Sequence, residues 1–388
     1  MSTRTEQGTA GSSPGYQRYV LGEVPRFNAK NHAFSRAIWD PEMKAVGARY
    51  FGLQHPSDKE GYRLEDYAAY NASWYAERRF GRGNQGGNFG LYDWECLEDR
   101  VNKIAPGFKL AVDDPQKMAR RIKRVAQTFG ASLVGICRLD RRWLYSHQYD
   151  RNTGQSNPVE LPEECNYVVV MAVEMDYRLI SLSPQVLANA GAGLGYSKMA
   201  FISGLVAQFI RLLGYQAIPT GNDTGLCIPM AVDAGLGEMG RNGLLIAPLY
   251  GPRVRLCKVI TNLPMAVDKP IDLGIQDFCD KCEKCAELCP VQCIMYGQRT
   301  ARPNNLCNNT GLLKWPIDAE KCLKFWAGNG SASCSVCIRT CPFNKEDAWI
   351  HRLSGGIIRR TTQFNRFFVW LDDLLRYGKQ VPTHKYWY

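Results

Sequence analysis

Four cysteines lie within twelve residues of this chain, in the stretch CDKCEKCAELCP. Cys279, Cys282, Cys285 and Cys289 follow the spacing C-x2-C-x2-C-x3-C, and Pro290 ends the run. Closely spaced thiolates can wrap the corners of an iron–sulfur cubane, and in bacterial ferredoxins the fourth thiolate of such a run ligates a second cluster. The spacing therefore predicts ligation of a [4Fe-4S] cluster rather than a disulfide framework.

A second group of cysteines keeps the same pattern with a longer first gap. Eleven residues separate its first two members, and it also ends in Cys-Pro: Cys322, Cys334, Cys337 and Cys341. In the ferredoxin arrangement, the last cysteine of each group crosses over to the cluster of the other group. This cross-over rule predicts one cluster held by Cys279, Cys282, Cys285 and Cys341. It predicts a second cluster held by Cys289, Cys322, Cys334 and Cys337. The alternative is zinc, for which paired C-x2-C knuckles without a Cys-Pro ending are typical.

The remaining seven of the fifteen cysteines, Cys293 and Cys307 among them, have no partner pattern and are interpreted as ordinary buried thiols. The formal net charge of +11 counts every cysteine as neutral. Two oxidised clusters would lower it to about +7. A mildly basic surface suits an acidic electron donor or an anionic membrane face, although it is equally typical of a solvated surface.

Helices and strands that could position a redox centre precede both cysteine groups. Apolar residues at helical spacing predict a helix over 115–130, and a second helix is predicted over 197–214 with Ser197 as its N-cap. These helices alternate with predicted strands at 132–139, 167–173 and 253–260. The strand YVVVMAV is apolar throughout, which is typical of a sheet covered on both faces. We therefore predict an α/β (α+β) fold, in which a sheet domain is followed by an inserted, bacterial-ferredoxin-like domain with two clusters.

These patterns divide the chain into five parts. They are a disordered tail at 1–15, an N-terminal cap region at 16–114, the sheet domain at 115–276, the double-cluster domain at 277–345 and an aromatic-rich C-terminal segment at 346–388. We expect the C-terminal segment to pack on the core, with a lid, a dimer face or a membrane-surface contact as alternatives. No apolar run approaches the roughly 20 residues of a membrane span.

Three further stretches resemble one family. GYSKM at 195–199, PTGNDTG at 219–225 and DAGLGEMGRNGLLIAPLYGPRVR at 233–255, followed by the two cysteine groups, are similar to the corrinoid-dependent reductive dehalogenases. The resemblance covers about 165–345. It implies an oxidoreductase with a cobamide (cobalamin or a norpseudo-type variant) and two [4Fe-4S] clusters, which replaces a carbon–halogen bond by carbon–hydrogen.

The resemblance also implies roles for individual residues. The proton donor would be Tyr196, assisted by Asn222 and Arg255. The cobamide contacts would come from Gly221, Asn222, Gly235, Gly237, Gly240, Asn242 and Trp326.

Local chemistry favours the three catalytic candidates independently. Tyr196 precedes the predicted N-cap Ser197, where the positive end of a helix would stabilise a tyrosinate, and Arg255 would act in the same direction. Asn222 lies in the loop after a short strand, YQAI at 215–218, at the edge where open sheets bind ligands. Without the resemblance, Tyr196 would be interpreted as a half-buried packing residue, Asn222 as a turn former and Arg255 as a surface cation.

The histidines agree with a corrinoid that has no histidine ligand. All five lie outside 165–345, and none belongs to a D-x-H-x-x-G motif. Without a strong axial donor, low-valent cobalt is easier to reach. The stretch GAGLG fails the G-x-G-x-x-G spacing of a dinucleotide loop.

Two other functions remain open. Epoxyqueuosine reductases share a stretch similar to GLGEMGRN, but they place an acidic donor where this chain has Tyr196. A plain electron-transfer protein would hold iron and sulfide without cobalt.

The expected partners are a small halogenated organic compound, an electron-donor protein or quinone-linked redox partner, and a small membrane-anchor subunit. We expect no nucleic acid, and leave a homodimer open. The resemblance favours the periplasmic face of the membrane, with the twin-arginine export signal absent from this chain. A cytoplasmic location is the alternative.

Overall fold

The structure is a computed structural model that describes residues 15–81, 90–95, 104–105 and 107–388. The predicted disordered tail therefore lies outside the described residues, apart from Gly15. In chain order, the α-helices of the described ranges are α1 (Ala33–Trp39), α2 (Lys44–Tyr50), α3 (Leu64–Ser73), α4 (Pro115–Thr128), α5 (Tyr177–Ser181), α6 (Ala188–Leu212), α7 (Cys227–Asp233), α8 (Ile275–Lys281), α9 (Lys284–Glu287), α10 (Ala319–Gly328), α11 (Val336–Arg339), α12 (Trp349–Arg360), α13 (Asn365–Leu374) and α14 (His384–Trp387).

Four strands form an antiparallel sheet at the centre of the molecule. The strands of the described ranges are β1 (Leu133–Arg138), β2 (His147–Tyr149), β3 (Ser156–Pro158), β4 (Tyr167–Glu174), β5 (Ala217–Thr220), β6 (Glu238–Met239), β7 (Leu245–Ile246) and β8 (Val254–Thr261). The central sheet has the order β1-β4-β8-β5. Strand β8 pairs with β4 on one side and β5 on the other, so that Arg255 lies opposite Val173 and Lys258 lies opposite Thr220. The mixture of helices and strands agrees with the predicted fold class.

Both faces of this sheet are covered, as the apolar run in β4 predicted. Successive side chains of a strand point to opposite faces, and alternate residues of β4 enter two separate cores. One core contains Val168, Val170 and Ala172 together with residues of α7. The other contains Val169, Met171 and Val173 together with residues of α4 and α6.

Helix α4 has the predicted position and the predicted buried face. The Asp114 side chain caps it by accepting a hydrogen bond from the Lys117 backbone N–H at 2.9 Å, and a proline occupies the first turn. Met118, Ile122 and Ala126 are buried against the sheet. The 3.6-residue periodicity of its apolar side chains was therefore sufficient to predict both the position of the helix and its buried face.

Helix α6 differs from the prediction at its start. It begins at Ala188, so the expectation that Ser197 caps it is wrong. Its first turns are rich in glycine, which disfavours a helix in isolation. The glycines are needed for a close contact, because a Cβ atom placed on Gly193 would lie 2.1 Å from Ser73 Oγ. Tertiary packing against α3 thus overrides the local propensity.

The segments at the two ends of the chain lie against this centre. In the N-terminal cap region, α1 and α2 pack with Leu323 of α10, and α3 packs along α6. In the C-terminal segment, Phe368 contacts Phe278 and Ile358, and Asp372 forms ion pairs with Lys284 and Lys345.

The packing of the C-terminal segment is only partial. Phe367, Trp370 and Leu374 of α13 are each about half exposed. Within the described ranges, the helices all fall short of the length and apolarity that spanning a bilayer requires.

We predict that Gly135→Ala destabilises the fold. Gly135 lies in β1, and an added Cβ would lie 2.1 Å from the Ala234 backbone oxygen, so the strand or α7 must shift. Overpacking of this kind lowers the free energy of unfolding by about 1–3 kcal/mol, measured by denaturant titration. Gly355→Ala in α12 is the matched control, because no atom lies within 4 Å of its added Cβ. It should leave stability unchanged or raise it by up to about 1 kcal/mol. Equal effects of the two substitutions would contradict the prediction.

Candidate functional site

The structure brings together the three side chains that the sequence singled out as catalytic. Tyr196 lies on α6, Asn222 in the loop after β5, and Arg255 near the start of β8. The Asn222 Nδ2 donates a hydrogen bond of 2.6 Å to the Tyr196 hydroxyl. The guanidinium carbon of Arg255 lies 5.0 Å from the centre of the Tyr196 ring. A phenol, an amide and a cation thus form one cluster.

Two neighbours bring Tyr196 into this arrangement. Its ring stacks on Trp74, with centroids 4.6 Å apart and planes inclined by 24°. Gly195 allows Arg255 to pass beside α6, because an added Cβ would lie 2.9 Å from the Arg255 Cγ. Sequence reasoning missed Trp74, because it lies in an aromatic-rich region without clear periodicity.

The helix-end argument for Tyr196 is wrong. Since α6 begins at Ala188, Tyr196 lies more than two turns inside the helix, where the field of the helix end has largely decayed. The Ser197 hydroxyl instead donates a hydrogen bond of 2.6 Å to the Ser73 backbone oxygen. The polar neighbours of the Tyr196 side chain are instead the Asn222 amide and the Arg255 guanidinium.

The loop that carries Asn222 is held by a buried lysine. The Lys258 Nζ donates hydrogen bonds to the backbone oxygens of Gly221 at 2.7 Å and Asp223 at 3.1 Å. The Tyr145 hydroxyl donates to the Asn222 backbone oxygen at 3.0 Å. Lys258 was missed by sequence reasoning, because a lysine inside an alternating strand normally points to solvent.

Two buried polar atoms of the residues beside Tyr196 have no hydrogen-bond partner in the part of the chain that the structure describes. They are the Nε1 of Trp74, which stacks on the Tyr196 ring, and the Nε of Arg255. Buried polar groups are normally paired, so these atoms fit a bound molecule with polar edges. A corrinoid, whose rim carries amide side chains, meets that requirement.

The residues of the glycine-rich stretch at 235–242 lie in two different environments. Gly235 and Gly237 approach backbone of the chain itself, since added Cβ atoms would lie 2.5 Å from the Lys269 oxygen and 2.2 Å from the Ile246 oxygen. Gly240 and Asn242 instead line a pocket among the cysteines.

The other candidate cobamide contacts lie apart from that pocket. Gly221 takes part in the loop held by Lys258. Trp326 lies on α10 and packs near Phe34 and Tyr50, with ring centroids 5.8 and 6.3 Å away. The cobamide contacts of these residues and of the glycine-rich stretch remain predictions.

The four cysteines predicted for the first cluster surround one pocket. Cys279 is in α8, Cys282 follows it and Cys285 is in α9, while Cys341 comes from the second group, as the cross-over rule predicted. Burial raises the pKa of Cys279 to about 11 and that of Cys282 to about 12. The free thiols are therefore protonated at neutral pH, and a metal must displace their protons on binding.

A buried arginine supports this pocket. The Arg241 side chain donates hydrogen bonds to the backbone oxygens of Cys279 at 2.7 Å and Cys282 at 3.1 Å, and it stacks over Trp315 at 4.6 Å. In the described ranges, no three His, Cys, Asp or Glu side chains converge as they would on a single metal ion. The assignment of a cluster therefore rests on the cysteine spacing and on the pocket that the sulfurs line.

The cysteines predicted for the second cluster also approach one another. Cys289, Cys322 and Cys337 pack in one group. Burial, with a smaller contribution from the neighbouring Cys289, raises the pKa of Cys334 to about 11. Ser335, at a positive φ of 62°, makes the turn between Cys334 and Cys337.

Cys293, interpreted from the sequence as an ordinary thiol, joins this second group. It is buried, and its Sγ lies 3.4 Å from the Cys289 Sγ. Cys307, in contrast, lies beside Arg36, at 3.8 Å from its Nη1.

Over most of its length the chain is similar to known proteins. The chain is 36% identical to the tetrachloroethene reductive dehalogenase of Sulfurospirillum multivorans over 299 residues, which cover 71% of this chain and 60% of that relative. A solved reductive dehalogenase, described as suggesting a mechanism for B12-dependent dehalogenation, matches with a TM-score of 0.69 and 27% identity, over 93% of this chain and 48% of its own. No protein-family model matches. The chain belongs to the reductive dehalogenase family, and it spans about half to three fifths of the length of these relatives.

The rival family matches less of the chain. The epoxyqueuosine reductase of Lactococcus garvieae is 28% identical over 139 residues, which cover 32% of this chain and 34% of that relative. The comparison therefore favours the dehalogenase family over the alternative that the stretch GLGEMGRN left open.

We predict that Lys258→Met loosens the loop after β5. The substitution removes the ammonium donor of the Gly221 and Asp223 backbone oxygens and leaves the Gly221 oxygen with only the weak Cys227 S–H donor at 3.3 Å. We expect a loss of about 1–3 kcal/mol in the free energy of unfolding. Limited proteolysis should then cut within 221–225 faster than in the unmodified chain. Lys198→Met, at an exposed position of α6, is the control and should change stability by no more than about 0.5 kcal/mol. A Lys258→Met protein with unaltered stability and cleavage would refute the role of this ammonium group.

Proposed function

We propose that this chain catalyses reductive dehalogenation of a small organohalide, R–X + 2 e⁻ + H⁺ → R–H + X⁻. The reaction would take place at a corrinoid that receives its electrons from two [4Fe-4S] clusters. The observation that carries the proposal is the contact of the Tyr196 hydroxyl with Asn222 beside Arg255. Membership in the reductive dehalogenase family supports the same reaction.

In this proposal, Tyr196 supplies the proton. Its hydroxyl donates to the carbon that loses the halogen, as a general acid, and the proton is replaced from solvent. The Asn222 Nδ2 already donates to the same oxygen, and this hydrogen bond strengthens when the oxygen becomes negative. Arg255 adds a positive charge next to the ring. The stack on Trp74 keeps the ring in place while its charge changes.

The cofactors would be held by two parts of the chain. A bound corrinoid would supply a low-valent cobalt centre for the reduction of the carbon–halogen bond, and the unpaired polar atoms of Trp74 and Arg255 would contact its polar edge. The clusters would pass single electrons. Their ligands would be Cys279, Cys282, Cys285 and Cys341 for the first cluster, and Cys289, Cys322, Cys334 and Cys337 for the second.

The proposed setting is organohalide respiration. An electron-donor protein or a quinone-linked partner would reduce the outer cluster, and a small membrane-anchor subunit would hold the enzyme at the periplasmic face. The half-exposed Phe367, Trp370 and Leu374 of α13 supply an apolar surface for such a contact.

We predict that Tyr196→Phe abolishes most of the dehalogenation. Phenylalanine keeps the stack on Trp74 but removes the proton, so kcat with a chlorinated ethene should fall by about 10²- to 10⁴-fold. Cobalt and iron contents should stay unchanged, which separates catalysis from cofactor loss. Tyr215→Phe is the matched control, because its hydroxyl donates to the Leu110 backbone oxygen and has no contact with the site. A Tyr196→Phe enzyme that works at the full rate would exclude this tyrosine as the donor.

We predict that the protein, produced with an ample cobamide supply and reconstituted without oxygen, contains about one cobalt and about eight irons per chain. Elemental analysis and acid-labile sulfide measure both. A plain electron-transfer protein would contain the iron and sulfide but no cobalt. Turnover of chlorinated ethenes, compared with turnover of an epoxyqueuosine-containing RNA stem, then distinguishes the two corrinoid enzymes. Cobalt-free protein under these conditions would contradict the proposed reaction.

A further inference from the structure

Five cysteines, rather than four, meet at the second group. Besides the four that the spacing predicts, Cys293 is 6% exposed, and its Sγ lies 3.4 Å from the Cys289 Sγ. It packs in the same group as Cys322 and Cys337. A cubane has four irons, and each takes one thiolate from the protein. One thiol of this group is therefore in excess.

The backbone holds Cys293 against Cys289. In the turn C-P-V-Q-C, Gln292 adopts a positive φ of 48°, which is uncommon for a residue other than glycine. The turn lets the Cys293 backbone N–H donate to the Cys289 Sγ at 3.4 Å. The Cys293 backbone oxygen accepts from the Asp318 N–H at 2.8 Å, next to the start of α10, which carries Cys322. The proximity of the two sulfurs is thus built into the local fold.

Two sulfurs in van der Waals contact cannot ligate two different irons of one cubane, because the cluster itself separates the thiolates on its corners. Cys289 and Cys293 therefore compete for a single corner. Whichever of them is not bound stays a thiol beside a metal-bound sulfur, where its S–H can donate a hydrogen bond.

We propose that Cys293 is a reserve ligand of the second cluster, which shares one corner with Cys289. When Cys289 is the ligand, the Cys293 S–H donates to its sulfur. When Cys289 is lost, Cys293 binds the iron in its place. This proposal rests on the proposed two-cluster assignment, and it concerns only the corner that these two residues share.

The hydrogen bond has a consequence for the redox chemistry of the cluster. Reduction adds negative charge to the cluster and its sulfurs, so an S–H donor stabilises the reduced form and raises the reduction potential. Removal of Cys293 should therefore shift the potential of the second cluster to a more negative value. The pocket predicted to hold the first cluster is lined by four cysteines, none of which is Cys293. The reduction potential of the first cluster should therefore stay unchanged.

The test uses the full chain, reconstituted with iron and sulfide without oxygen. The variants are Cys289→Ala, Cys293→Ala, the double variant and Cys282→Ala as a control from the first pocket. Iron content, acid-labile sulfide and the electron paramagnetic resonance spectrum of the reduced protein are measured. We expect about eight irons in the unmodified chain and in each single variant at the shared corner, and about four in the double variant and in Cys282→Ala. A redox titration of Cys293→Ala should show the negative shift of one cluster only.

Three results would overturn the proposal. If Cys289→Ala alone loses as much iron as the double variant, Cys293 is not a reserve ligand. If Cys293→Ala titrates like the unmodified chain, the hydrogen bond does not exist. An unmodified chain that takes up no more than about four irons overturns the two-cluster assignment itself, and the reserve ligand with it.

Discussion

One buried ammonium group ties the loop after β5 to the middle of the sheet. Lys258 is fully buried, and its Nζ donates to the backbone oxygens of Gly221 and Asp223. A buried charge is costly unless hydrogen bonds compensate for its lost hydration, and these oxygens accept them. Arg255 lies three residues earlier on the same strand, so β8 places both the loop and the guanidinium beside Tyr196. The geometry of the site therefore depends on the register of β8 between its two neighbours.

The turn between β6 and β7 contacts both cysteine groups. Arg241 donates to the backbone oxygens of Cys279 and Cys282, and the adjacent Asn242 donates to that of Cys337 at 3.3 Å. Arg241 and Asn242 thus link the two cysteine groups through their backbone oxygens. A buried guanidinium also offsets the negative charge that a thiolate-bound cluster would carry, and the surrounding charge is one of the factors that set a cluster's potential.

The parts of this structure that local patterns encode were predictable, and the parts that depend on tertiary contact were not. The stripe of α4, the apolar run of β4 and the approach of Cys341 to the first group follow from periodicity or spacing. The start of α6 was placed too late, because glycine propensity gives no information on the close approach of α3. Trp74 and Lys258 carry no sequence pattern, and the positive φ of Gln292, which brings Cys293 to Cys289, is not encoded by spacing either.

The position of Tyr196 decides what can stabilise its conjugate base. Helix-end fields act within the first turn, and Tyr196 lies beyond it on α6. A stacked indole such as Trp74 fixes the ring but presents an electron-rich face, which does not favour a negative phenolate. The remaining contacts are the amide of Asn222 and the guanidinium of Arg255, and both are supplied by the sheet and its loop. In the proposed reaction, proton donation by Tyr196 would therefore be controlled by β8 and the loop after β5 rather than by the helix that carries the tyrosine.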